Sequence, residues 1–185
     1  MKKSFVMLIC ALGALGLVLA GCGSTADNAG SSSSEDVTVP ADAEEKPEAS
    51  FENGVLTTPE LKIEITNRKI IPAGAKGNEY GDKPVIALWY KTTNLSDEDV
   101  DPTDFIFHFS AFQDNNPNAE NELEVGPLPD DRFGESQLEN IKKGGTVENA
   151  VSYELDDLVT PVKLVAVENA FDDEELGSVT YNLKQ

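Results

Sequence analysis

The residues of this chain that could do chemistry are few and unevenly placed. His108 is its only histidine, its two cysteines are Cys10 and Cys22, and five acids, Asp97, Glu98, Asp99, Asp101 and Asp104, crowd one short stretch. Crowded carboxylates are what a hard cation such as Ca²⁺ takes. The spacing departs from the EF-hand loop: Pro102 stands at the sixth position, where a glycine belongs, and His108 at the twelfth, where the bidentate glutamate belongs. Solvated loop acids are the simpler reading. The same holds for Asp172-Asp173-Glu174-Glu175, so no metal and no cofactor is assigned. A lone imidazole flanked by phenylalanines reads as a packed or rim side chain, because general-base work needs a positioned nucleophile or metal beside it. No serine sits in a Gly-x-Ser-x-Gly turn.

Composition narrows the field further. The chain has 185 residues, 34 acidic against 14 basic side chains and a formal charge of −20. Binding a polyanion requires Lys and Arg to replace its condensed counterions, so nucleic acid is excluded as a partner. Two cysteines make neither a disulfide-stapled miniprotein nor a four-thiolate zinc site.

Cys22 has a different use. Lys2 and Lys3 precede an apolar run from Phe5 to Ala20 that ends in Gly21-Cys22, the basic, apolar and small-residue parts of a secretory signal. Leu19-Ala20-Gly21-Cys22 resembles the lipobox of bacterial prolipoproteins. That resemblance implies cleavage after Gly21, a diacylglyceryl group on the Cys22 sulfur, and removal of residues 1–21 as a lipoprotein signal peptide. Two acyl chains on one residue supply the two hydrophobic signals that stable anchoring needs. The expectation is a protein held by membrane lipid on the extracellular face of the cell membrane, with Cys10 lost and the Cys22 thiol consumed.

From residue 22 to residue 50 the composition turns to Ser, Gly, Ala, Pro and acids, with only Val37 and Val39 as large apolar side chains. Such a stretch buries too little to offset the entropy of ordering and is expected to be a disordered acidic tether. Its root-mean-square span is about 30 Å and its stretched limit about 90 Å.

Residues 51–185 are long enough for one core. Leu61, Ile63 and Ile65 alternate with Lys62, Glu64 and Thr66, the period of a half-buried strand, and Val85 to Tyr90 is the continuous run of a central one. Phe105, Phe107 and Phe109 are expected to share one face of a further strand. Val147, Asn149, Val151, Tyr153 and Leu155 line one side of another, opposite Glu148, Ser152 and Glu154. Val162 to Val167 and Val179 to Leu183 complete the set. Turn chemistry at Asn53-Gly54, Pro72 to Gly81, Asn94 to Pro102, Gly144-Gly145, Asp156 to Pro161 and Asp172 to Gly177 separates these runs. The spacing predicts an all-β antiparallel sandwich, immunoglobulin-like, of seven to eight strands. Between Asn115 and Lys143 the pattern weakens, with Leu123-Glu124-Val125 as a short edge-strand candidate, Ser136 to Ile141 as a helical turn, and variable structure expected throughout.

Asn53-Gly54, Leu61-Lys62-Ile63-Glu64-Ile65, Ala87-Leu88-Trp89-Tyr90-Lys91-Thr92-Thr93-Asn94, Phe112-Gln113, Gly144, Tyr153-Glu154-Leu155 and Pro161-Val162, in that order, resemble the domain of unknown function 5067 family. The resemblance implies lipoproteins and secreted proteins of Gram-positive bacteria with telokin-type immunoglobulin sandwiches. It covers nearly all of residues 51–185 and carries over no catalytic or ligand residue. The acidic insert from Asn115 to Ser136 departs from the family's compact pattern.

The expected function is a non-enzymatic binding module. Its charge of about −16 over residues 51–185, from 27 acidic and 11 basic side chains, favours a protein partner or a cationic ligand by long-range steering. Trp89, Tyr90, Tyr153 and the Phe105 series are the aromatic anchors, most of them expected in the core, whereas Tyr80 is expected to be exposed. The alternative is an extracellular hydrolase or hydrolase accessory with a carboxylate site. It requires two acids converging in a concave pocket, one of them with a perturbed pKa.

Overall fold

The computed structural model describes residues 47–171 and 174–183. Asn53 and Gly54 both have positive φ, 53° and 79°, which a tight primed hairpin turn demands and which asparagine and glycine tolerate. They join β1 (Ser50–Glu52) to β2 (Val55–Thr57) in the register Glu52 to Val55. A Thr58 turn, its hydroxyl oxygen accepting from the Glu60 and Leu61 amides, leads into β3 (Leu61–Ile71). With β4 (Val85–Asn94) and β6 (Thr146–Glu154) these strands form a five-stranded antiparallel sheet in the order β1-β2-β3-β4-β6. β5 (Phe109–Gln113), β7 (Val162–Val167) and β8 (Glu175–Tyr181) form a second antiparallel sheet, ordered β5-β7-β8. Eight strands in two packed sheets among the described residues make the sandwich that the alternating patterns imply.

The core lies between the sheets. Leu56, Ile63, Ile86, Leu88 and Tyr153 of the larger sheet, with Leu155 just after it, meet Phe109, Ala111, Val162, Leu164 and Ala166 of the smaller. Burial of each large side chain contributes roughly 1.5–3 kcal/mol. Phe105 closes one end, its ring 4.4 Å from Tyr90 and 4.5 Å from Phe109. The two most deeply buried tyrosines find acceptors for their hydroxyls: Tyr90 donates to the Pro102 carbonyl at 2.7 Å, and Tyr153 reaches across the sandwich to the Phe109 carbonyl at 2.9 Å. Burial raises the pKa of each phenol, so both stay protonated donors.

A β-bulge between Ile65 and Asn67 resets the alternation of β3. Before it, Leu61, Ile63 and Ile65 face the core; after it, Ile70 packs inward while Ile71 joins Val85 and Ala87 in a small cluster on the outer face of the sheet. β2 pairs with β3 only as far as Glu64. The rest of that edge carries exposed Asn67, Arg68 and Lys69, charges that discourage pairing with a stray strand.

Two strands differ from their expected bounds. Phe105–His108 is a single turn of helix, α1, and β5 begins only at Phe109. The capping box of Asp101 and Asp104, with Pro102 at the first helical position, starts a 3₁₀ turn over Pro102–Asp104 that runs into α1. Phe105 is thereby buried, whereas Ile106 and Phe107 are 42% and 52% exposed. β8 starts at Glu175 and ends at Tyr181, ahead of the expected Val179 to Leu183. Gly177 makes this possible, because a Cβ there would lie 3.0 Å from the Phe51 carbonyl oxygen of β1.

Residues 115–143 are tied into both sheets. Glu122 bridges to Phe112 of the smaller sheet and Val125 to Tyr153 of the larger, so Leu123-Glu124-Val125 spans the sheet edges instead of forming an edge strand. Pro117, Pro127 and Pro129 deny the segment the donors that a continuous ladder requires. Leu123 and Ile141 are buried in the core, and Ser136–Leu138 makes the expected turn as a 3₁₀ helix.

Candidate functional site

Trp89 points away from the core, on the outer face of β4, as its alternation with Leu88 and Tyr90 requires. The register brings Asn67 of β3 and Ala150 of β6 level with it. Two residues further along, on the same face, Lys69 lies opposite Ala87; in the other direction Lys91 lies opposite Glu148. Asn67 and Lys69 stand on this face only because of the bulge.

Residues 126–133 return over β6 and form a wall. Gly126 N–H donates to the Ser152 carbonyl at 2.8 Å, and the Ser152 hydroxyl donates to the Pro127 carbonyl at 2.6 Å. Ser152, expected on a polar face, is consequently buried. A 3₁₀ turn over Asp131–Phe133, capped by the Asp130 side chain, ends the wall. The loop before β4 closes one end: the Asn78 amide donates to the carbonyls of Ile71 and Lys83, and Gly77, with φ of 88°, leaves no room for a Cβ beside the Pro129 carbonyl.

The result is an open groove of about 740 Å³ floored by Trp89. At its centre the indole N–H donates to Asp130 Oδ2 at 3.0 Å, and Arg132 Nε and Nη2 bind the same carboxylate, the shortest contact being 2.6 Å. Arg132, hydrogen-bonded to Asp130, holds this carboxyl well below the usual carboxylate range, and the indole N–H adds to the effect. Asp130 is 16% exposed and Arg132 73%, so the pair sits at the rim with its acid turned inward. The Arg132 guanidinium also lies 5.2 Å from the Phe133 ring centroid. Lys91 and Glu148 pair at 3.5 Å on the far side. With a depressed pKa, Asp130 is an ionised anchor, not a proton donor at neutral pH.

The other residues singled out in the sequence lie apart from this groove. Cys22, Gly21 and all of the tether up to residue 46 fall outside the described residues, as do Asp172 and Asp173. Of the crowded acids, Asp97 pairs with Lys143 at 2.9 Å, Asp99 accepts from the Asn140 amide at 2.9 Å, and Asp101 and Asp104 cap the 3₁₀ turn. Burial raises the pKa of Asp104, but its carboxylate is occupied by the Asp101 amide. Among the described residues no three His, Cys, Asp or Glu side chains are grouped to hold a metal ion. His108 Nδ1 lies 3.4 Å from the Val167 carbonyl oxygen, at the edge of the smaller sheet. Tyr80 is 99% exposed.

Asp130, Arg132 and Lys69, with Lys76 of the loop before β4, line the groove and were not legible as site residues. The one local sign of the bulge is the adjacent pair Ile70-Ile71, which a strict two-residue period cannot place on one face.

No protein of curated function matches the chain. Solved structures with a similar fold include two bacterial proteins. One is a candidate lipoprotein of Staphylococcus aureus subsp. aureus NCTC 8325, 21% identical over 74% of this chain and 92% of that one, with a TM-score of 0.61. The other is a protein from Enterococcus faecalis solved by NMR, 18% identical over 72% and 92% of the two chains, with a TM-score of 0.54. The family model described as domain of unknown function (DUF5067) matches residues 36–168. By that match, which takes in every strand from β1 to β7 and the wall of the groove, this chain belongs to the DUF5067 family.

Proposed function

We propose that this chain is a lipoprotein anchored through Cys22 on the extracellular face of the cell membrane, and that its sandwich is a non-enzymatic binding module whose contact surface centres on Trp89. The observation that carries the binding reading is the position of this indole, held by Asp130, which Arg132 binds in turn, at the floor of an open groove instead of in the core. Aromatic side chains fixed in concave surfaces are the usual energetic centres of recognition. The non-enzymatic reading rests on the carboxylates: of the three groove acids Asp130 and Glu148 are paired and Asp131 is exposed to solvent, and Asp130 is shifted away from the raised pKa of a general acid. Outside the groove the surface is strongly acidic and suits a protein partner with cationic segments, or a cationic ligand, steered in from a distance.

The test is made in cells on the full chain. Cys22→Ser is expected to move the protein from the membrane pellet to the medium; retention in the pellet would remove the anchor from this reading. Trp89→Ala, kept lipidated, is expected to lose the partners that crosslink to the wild type at the cell surface. An unchanged crosslinking pattern would remove the groove.

A further inference from the structure

We propose that the groove around Trp89 seats an anionic sugar unit, its ring against the indole and its phosphate or carboxylate on Lys69 and Lys76; this rests on the groove being the binding surface. The first observation is charge placement. Residues 51–185 carry 27 acids and 11 bases, yet the groove is lined by four of those bases, Lys69, Lys76, Lys91 and Arg132, against three of the acids, Asp130, Asp131 and Glu148. A surface that is acidic elsewhere turns cationic here.

The second observation is which charges are already used. Arg132 is bound to Asp130 at 2.6 Å and Lys91 to Glu148 at 3.5 Å. Lys69 and Lys76 have no carboxylate at ion-pair distance among the described residues. Both are exposed, and with Asp131 the remaining groove acid outside an ion pair, the uncommitted charge of the groove is positive and favours an anion from outside. Ammonium groups suit phosphate or carboxylate as point charges, without the fixed fork that Arg132 spends on Asp130.

The third observation is the shape of the floor. Lys69 stands opposite the buried Ala87, and the next outward row along the sheet is Asn67 with Trp89. An apolar plate thus lies beside two cations, with the polar side chains of Thr66 and Asn67 at its margin. A flat, hydroxyl-bearing ring with one charged substituent meets all three: apolar ring face on the indole, hydroxyls on Thr66 and Asn67, charge on the lysines. About 740 Å³ falls within the roughly 300–1,000 Å³ of small-ligand sites.

Trp89 is the only tryptophan, so its fluorescence reports on the groove alone. The full chain is titrated with glucose 6-phosphate, glucuronate, glucose and inorganic phosphate. A saturable change is expected with the charged sugars, at least tenfold tighter than with glucose or with phosphate. Tighter binding of glucose 6-phosphate assigns the anion as phosphate, and tighter binding of glucuronate assigns it as carboxylate. The double variant Lys69→Glu, Lys76→Glu, checked for an unchanged far-UV circular dichroism spectrum, is expected to weaken the charged sugars at least tenfold and glucose hardly at all. Equal affinity for glucose and its charged forms, equal affinity for inorganic phosphate, no response from either charged sugar, or no effect of the lysine substitutions would each overturn the proposal. If Trp89→Ala abolishes crosslinking at the cell surface while no charged sugar binds, the groove remains the binding surface and only its ligand class is wrong.

Discussion

The two faces of β4 use the same strand geometry to opposite ends. On the inner face Ile86, Leu88 and Tyr90 are locked by the second sheet, and the one hydroxyl among them donates to a backbone carbonyl next to the buried Phe105. On the outer face Val85 and Ala87 are covered, but Trp89 and Lys91 meet only a returning wall and the side chains of two neighbouring strands. Inside, position follows from close packing, which tolerates little change. Outside, it follows from a few directional contacts that leave one side open. The lesson is that stability and recognition sit back to back on one strand, so that substitutions can separate them.

The largest expected effect breaks the inner face. Phe105→Ala removes a fully buried ring stacked between Tyr90 and Phe109 and is expected to cost about 3–5 kcal/mol. A denaturant titration should show the midpoint falling sharply, with the Trp89 emission of the folded state unchanged; a cost below about 1 kcal/mol would mean that the two faces are not energetically distinct.

Asp130→Asn tests the outer face at intermediate size. It keeps an acceptor for the indole but loses the charge that Arg132 binds, with an expected cost of about 1–2 kcal/mol at neutral pH. The sign of its pH dependence follows from the depressed carboxyl of the folded state. Stability from this group is present above the unfolded pKa of about 4 and is lost as pH falls through the lower folded value. The gap between wild type and variant should therefore be constant above about pH 5 and close on acidification below about pH 4. A gap that stays constant down to the acid transition would show that Asp130 is not held ionised by Arg132.

The smallest effect sharpens the contrast. Lys91 and Glu148 are 42% and 63% exposed, so Lys91→Ala is expected to change stability by less than about 0.5 kcal/mol. Thermal unfolding at low and high salt would check it. A larger cost would place this pair among the structural elements of the sheet.

What was legible in the chain was whatever repeats locally. Alternation at Leu61, Ile63 and Ile65, the continuous run from Val85 to Tyr90, and Val162 to Val167 all became strands, because a two-residue period depends only on which face is buried. The Phe105, Phe107 and Phe109 series misled for an equally local reason. Asp101, Pro102 and Asp104 start a helical turn whose capping hydrogen bonds overrule the alternation that follows. The groove was not legible, since Trp89 and Asp130 stand 41 positions apart and nothing near either one announces the other.

By itself, then, the sequence determined the class of fold, the turn at Asn53-Gly54 and the acidity of the surface, for these follow from side-chain type and short-range pattern. Only the tertiary structure decided that β3 bulges at Thr66, that residues 126–133 come back over β6, and that scattered lysines and an arginine gather around one indole. Such meetings depend on long loops closing between distant positions. Their entropy depends only slowly on length, so no short window of residues encodes where they end.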